Sequence, residues 1–292
     1  MSHPSATPKP FPIPVVSFGP GSQPEDDGLD YMSMPKGMTT YQAPSLPEPE
    51  EMVGREGAVR VLRAALAALR GDGPAVVPLA GLNEAELTLV NQVMGEGEVS
   101  ARVLPDAERP QLPQARIQES VFAGLWRVLE WLPDGTVSDC LEVGAVPGAL
   151  LRAAADDASG TRADLLAAPP GVLNAPAILA ELEDARQRWR AGDTAHVVNL
   201  SLLPVGPEDI AFIDHVIGTG RVLLLSRGYG NCRITNCRVA NTWRVVYYNS
   251  QDTVILNAVE VTRIPEVACA APEDLRDSVE RLTEVLDWVA QG

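Results

Sequence analysis

The run Leu223-Leu224-Leu225-Ser226-Arg227-Gly228-Tyr229-Gly230-Asn231-Cys232-Arg233-Ile234 gathers the residue types best suited to chemistry or contact. An apolar strand enters a Gly-x-Gly corner and a second strand leaves it. Two glycines one residue apart allow a sharp turn and leave backbone open to close approach. Cys232 stands in sequence between Arg227 and Arg233, and nearby cations favour a thiolate. The segment reads as a binding corner formed by Arg227, Gly228, Tyr229, Gly230, Asn231, Cys232 and Arg233, with Cys232 as a candidate reactive thiol. A hairpin or bulge that simply needs glycine is the plainer alternative. Phosphate loops open a helix, whereas Arg233-Ile234-Thr235 continues as strand, which argues against nucleotide binding.

Other candidates are weaker. Cys232 and Cys237 are five apart, which puts them on opposite faces of a straight strand and is not the spacing of a zinc knuckle. No metal site and no cofactor are expected. His196 and His215 fall in a strand and a helix outside any catalytic pattern, and no Walker, Rossmann or kinase signature is present. The protein is therefore expected not to be an enzyme. Asn249-Ser250-Gln251-Asp252 is a polar hairpin tip between apolar strands, and Gln251 and Asp252 join the corner as candidate contacts.

Composition limits the partners. The 292-residue chain has a formal net charge of −16, which repels phosphate backbones and favours a basic protein segment over nucleic acid. No apolar run approaches the roughly 20 residues that span a bilayer. The Pro-rich N-terminus lacks the layout of a secretory signal, so a cytoplasmic protein with reduced Cys140, Cys232, Cys237 and Cys269 is expected.

The elements that must position the corner come in two similar sets. Residues 1–52 form a tail holding 11 of the 25 prolines, extended or partly disordered, yet Phe11, Ile13, Val15, Val16 and Phe18 give it apolar anchors for docking. Residues 53–152 read as a first unit. A helix through Val59, Leu62, Leu66 and Leu69 precedes a strand at Ala75-Val76-Val77. An Asn83-capped helix stopped by Gly95 and Gly97 follows. Strand-like runs then cover Val99–Leu104, Ala115–Trp131 and Thr136–Val146. After a connector at 153–173, residues 174–292 repeat the order. A helix through Ile178, Leu179 and Leu182 leads to His196-Val197-Val198 and a helix from Pro207. Runs at Val222–Ser226, Asn231–Tyr248 and Thr253–Ile264 follow, and a last helix starts at Pro272. Arg116-Ile117 matches Arg233-Ile234, and Trp126-Arg127-Val128 matches Trp243-Arg244-Val245. The fold class expected is α+β: two pseudo-symmetric copies of an α-β-α-β-β-β unit with mixed or antiparallel sheets, plus a C-terminal helix.

Several stretches resemble the HupH/HyaF hydrogenase expression proteins, accessory factors of uptake nickel–iron hydrogenases. They are Ser226–Arg233 (SRGYGNCR), Tyr248–Leu256 (YNSQDTVIL), Glu266–Asp274 (EVACAAPED), Phe11–Pro24 (FPIPVVSFGPGSQP) and Ala115–Val128 (ARIQESVFAGLWRV). Cys237 departs from the pattern, where a small or hydroxyl residue is expected, so Cys232 and Cys237 are not expected to act as a pair. The resemblance implies a cytoplasmic maturation factor. Its partners would be the iron–sulfur small-subunit precursor, before export and assembly, and other hydrogenase accessory proteins. The alternative is a thiol redox or iron–sulfur carrier using Cys232 in the same pathway.

Overall fold

The computed structural model describes residues 55–71, 73–158, 168–228 and 230–291. The expectations for the 1–52 tail and for Tyr229 lie outside them. The described residues belong to one compact unit, Gly37–Gly292.

Ten strands form one sheet in the order β1-β5-β4-β3-β2-β7-β8-β9-β10-β6. The first five are β1 (Ala75–Pro78), β2 (Val99–Val103), β3 (Gln114–Glu119), β4 (Leu125–Trp131) and β5 (Val137–Val143). The others are β6 (His196–Asn199), β7 (Val222–Ser226), β8 (Asn231–Asn236), β9 (Thr242–Tyr248) and β10 (Val254–Val261). Every pairing is antiparallel. Among the described residues six α-helices accompany them: α1 (Glu56–Leu69), α2 (Glu84–Met94), α3 (Gly148–Asp157), α4 (Ala175–Arg188), α5 (Pro207–Ile217) and α6 (Pro272–Gln291).

The α+β class stands, with two differences from expectation. The runs Ala115–Trp131 and Asn231–Tyr248 are each two strands, so four strands, not three, follow α2 and α5. The turn in the first is Ser120–Gly124, where Gly124 has φ 81° and the Ser120 Oγ accepts the Phe122 N–H at 3.1 Å. No part of the sheet is mixed. Helix α3, read as the end of the first unit and the start of the connector, was not foreseen.

Strand alternation sends side chains to two faces. One face carries α1, α2 and α6 over β1, β5 and the start of β4, around Leu62, Leu89, Leu141 and Leu282. The same face carries α4 and α5 over β6 and β10, around Leu179, Ile213 and Val259. The opposite face is a single core in the middle of the sheet, built on Ile117, Trp126, Val128, Leu224, Ile234 and Trp243 and packed against α3. Both tryptophans are buried, and each indole N–H reaches a carbonyl: Trp126 to Gly144 at 2.9 Å and Trp243 to Arg263 at 3.2 Å.

Carboxylates at the helix starts fix the helices to one another. The Asn83 Oδ1 accepts the Glu86 N–H at 2.9 Å, and Glu86 accepts the N–H groups of Asn83 at 2.9 Å and of Gly57, in α1, at 2.7 Å. Asp209 of α5 accepts from Leu173, Asn174 and Ala175 at 2.8–2.9 Å and from Gly206 at 3.3 Å. Burial pushes the Asp209 carboxyl up, but these N–H groups outweigh it and hold the group below its ordinary value.

The middle of the sheet is the β2–β7 pairing, with Ala101 opposite Leu224. Beside it lies a buried ion pair. The Arg221 Nε donates to the Asp157 Oδ1 at 2.8 Å, and the Arg221 and Asn236 N–H groups reach the Asp157 Oδ2 at 2.5 and 3.1 Å. Arg109, from the β2–β3 loop, adds a bond at 3.0 Å. Burial pushes the Asp157 carboxyl up, but the bonds from Arg221 and Asn236 dominate and lower it from 3.8. Its stabilisation is therefore complete above that ordinary value and is lost as pH falls through the lowered one. In urea titrations, Asp157→Ala should cost about 3–5 kcal/mol by stranding Arg221. Asp157→Leu combined with Arg221→Met should cost far less.

Candidate functional site

The corner is the β7–β8 turn. Ser226 ends β7 and Asn231 begins β8, leaving 227–230 as the loop. The two glycines serve different purposes. Gly230 has φ 104°, in the left-handed region, so a side chain there would strain the backbone whatever the space. Gly228 instead leaves room for the Glu98 carboxylate, which a Cβ would meet. The Arg227 N–H donates to the Glu98 carbonyl at 3.1 Å, so the corner rests on the segment that enters β2.

The second candidate element ends at the same side. Asn231 lies opposite Tyr248 in the β8–β9 pairing, so the β9–β10 tip leaves the sheet beside the corner. The Asn249 Oδ1 accepts the N–H groups of Gln251 and Thr253 at 2.8 and 2.9 Å, fixing a tip in which Asp252 has φ 56°. Gln251 and Asp252 are exposed. Ile255, at the β-bulge just after the tip, is 61% exposed. Leu202, in the turn that follows β6 at this same end, is 81% exposed.

The structure splits the predicted set by face. Arg227 and Gly230 are exposed in the loop, and Asn231 and Arg233 are half-buried on the face that bears the helices. Cys232 turns the other way, into the central core with Cys140, and is buried. Burial pushes its thiol up to about 11, and the Glu260 carboxylate adds to this against the hydrogen bond with Tyr247. The expected activation by Arg227 and Arg233 is not met: Arg227 is exposed in the loop, and Arg233 points to the opposite face of β8 from Cys232. Cys237 belongs to a different core and is pushed up to about 12. Among the described residues no group of three His, Cys, Asp or Glu side chains is arranged to hold a metal ion.

Sequence reading missed a buried acid beside the segment that enters β2. Glu119, at the end of β3, is buried, and desolvation raises its carboxyl to about 7. Bonds from the Gly124 and Val99 backbones oppose this, and the Glu98 and Asp274 carboxylates add to it. The signal was available. Three residues beyond Arg116 stands Glu119, and three beyond Arg233 stands Asn236, polar residues that end their strands.

Glu119 makes stability depend on pH. The folded state keeps a proton that the unfolded chain releases above the ordinary value of 4.5, so stability falls as pH rises from there to about 7. The loss is on the order of 3 kcal/mol. Glu119→Gln should flatten this slope, matching the parent in acid and exceeding it at alkaline pH in denaturant titrations. A parallel slope in both proteins would contradict the assignment.

Residues 172–289 match the family model described as HupH hydrogenase expression protein, C-terminal conserved region. The chain is 54% identical over 283 residues to the hydrogenase expression/formation protein HoxQ of Cupriavidus necator, covering 96% of this chain and 98% of that one. It is 45% identical to the hydrogenase expression/formation protein HupH of Rhodobacter capsulatus, covering 96% and 98%. It is 32% identical to the hydrogenase-1 operon protein HyaF of Escherichia coli, covering 94% and 96%.

Proposed function

The chain belongs to the HupH/HyaF family of hydrogenase expression/formation proteins, and from that premise we propose that it is a non-enzymatic assembly chaperone in the maturation of an uptake nickel–iron hydrogenase. It binds the iron–sulfur small-subunit precursor before export and assembly, in the cytoplasm and alongside other accessory proteins. The contact surface is the end of the sheet where the corner and the tip emerge together: Arg227, Gly228, Tyr229, Gly230, Asn231, Arg233, Gln251 and Asp252. The observation that carries this reading is the Asn231–Tyr248 pairing, which brings two exposed hairpin ends to one place. Exposed Ile255 and Leu202 beside them supply apolar area of the kind that partner surfaces cover. No helix among the described residues is long and apolar enough to cross a membrane.

The carrier alternative rests on Cys232 and is disfavoured by a buried, protonated thiol. A redox or cluster-ligand role requires that thiol to reach a partner, and the core stands in the way.

The proposal includes an internal duplication with one working site. In its support, the sheet reads first, fifth, fourth, third, second from β1 inward, and the same from β6 inward. The Gly97 N–H donates to the Glu119 carbonyl at 2.7 Å and the Gly220 N–H to the Asn236 carbonyl at 2.8 Å. The copies diverge at the corner: the β2–β3 connection is Leu104–Pro113, whereas β7 and β8 are joined by Arg227–Gly230.

Affinity capture from cells making uptake hydrogenase in air should recover the unprocessed small subunit, identified by mass spectrometry. Gly228→Val together with Asp252→Lys should reduce that recovery at least tenfold while the purified variant keeps its melting temperature. Recovery unchanged in this variant would remove the site assignment.

A further inference from the structure

A second surface lies between the two helical layers. On the helix-bearing face, the six central strands expose their backs in a trough flanked by α1 and α2 on one side and α4 and α5 on the other. Pairing partners share a face, so the register fixes which residues line it. The facing positions of β2, β3, β4, β7, β8 and β9 include five arginines and no aspartate or glutamate. This is a marked bias in a chain with 39 acidic residues against 23 lysines and arginines. Two of the five are neutralised from the rims: Arg127 by Asp139 at 2.7 Å and Arg244 by Asp214 at 3.1 Å. Arg102, Arg116 and Arg233 have no ion-pair partner among the described residues.

Arg102 and Arg116 stand directly opposite one another across β2 and β3. Like charges at opposed positions work against sheet pairing. The arrangement persists although the chain has many carboxylates that could have answered it. The Arg116 guanidinium lies 5.7 Å from the centre of the Trp131 ring, which holds the fork in place while leaving its donors free. Around these side chains is a pocket of about 230 Å³, with Gln114 and Leu104 at its edge. Two unanswered guanidinium groups, an aromatic wall and a side-chain-sized cavity form a receptor for carboxylate. Leu223 and Leu225 lie between this pocket and Arg233 along the trough, so apolar contact separates the cationic points.

The geometry points to a docking site for an acidic polypeptide segment: a partner chain lies in the trough with one carboxylate anchored between Arg102 and Arg116 against Trp131. Charge complementarity selects this occupant, because the trough is the cationic face of an otherwise acidic protein. The site is at the opposite end of β2 from the residues that meet the glycine corner. It does not depend on the maturation reading.

The test is calorimetric titration of the full chain with acetyl-Glu-Glu-Glu-Glu-amide at low salt, with the matching lysine peptide and free glutarate as controls. The glutamate peptide should bind, and any association of the lysine peptide with the acidic surface elsewhere should be unchanged in Arg102→Gln/Arg116→Gln. Binding should weaken at least tenfold in Arg102→Gln/Arg116→Gln, and also in the wild type when salt shortens the screening length to a few ångströms. The double variant removes an opposed like-charge pair, so its melting temperature should be no lower than the parent's, which separates lost binding from lost folding. Arg116→Lys keeps the charge but loses the planar fork and should bind with intermediate affinity. Equal binding by wild type and double variant overturns the site. Absence of binding by the glutamate peptide overturns it too. Glutarate binding as tightly as the peptide overturns the polypeptide occupant and leaves a small-anion pocket.

Discussion

The buried carboxylate of Asp157 is the constraint on which the middle of the molecule depends. It is the last residue of α3, yet it satisfies Arg221 at the start of β7 and Asn236 at the end of β8. Asn236 in turn accepts the Val222 N–H at 2.9 Å. The same Arg221 donates to the Pro113 carbonyl, and Arg109 ties the β2–β3 loop to the carboxylate. One charged group therefore holds together elements from both sides of the β2–β7 pairing. Removing either partner leaves the other charged in a buried site, which costs more than the intact pair contributes. On either side of this point the sheet continues through ordinary antiparallel neighbours.

The two ends of the β2–β7 pairing are electrostatically unequal. At one end the anion meets a guanidinium. At the other, Glu119 is buried without a cation and is held near neutrality by desolvation. The glycine corner is at this second end, with the Glu98 carboxylate beside Gly228. This end therefore lacks the charge-assisted bonds that tie the other end together. Gly228 leaves room for the Glu98 carboxylate and Gly230 adopts a left-handed φ of 104°.

Much of this was legible in the sequence. Helix stripes such as Leu62-Leu66-Leu69, the Asn83–Glu86 cap and the Gly stops gave elements near their true limits, because those signals are local. The Trp126-Arg127-Val128 and Trp243-Arg244-Val245 match marked two strands that both pack an indole into the central core. What escaped depended on register. Ser120–Gly124 lacks the usual hairpin dipeptide, so one apolar run concealed two strands. Helix α3 concealed itself in an alanine-rich stretch that has few large apolar residues to mark a stripe. Cys232 read as activated because its neighbours in sequence are cationic, whereas its neighbours in space are Tyr247 and the apolar core. Arg102 and Arg116 are far apart in sequence, and only the β2–β3 pairing places them together. The corner and the tip were each visible, but their adjacency came from the Asn231–Tyr248 pair.

Under the proposed function, one end of the sheet is the working end for a hydrogenase precursor. Hydrogen exchange of the full chain, measured alone and with purified small-subunit precursor, tests this directly. Slowed exchange confined to the amides of 227–231 and 249–255, with 132–136 at the opposite end unchanged, is the result predicted. Precursor binding that leaves both hairpin ends exchanging as before, or that protects only the opposite end, would contradict it.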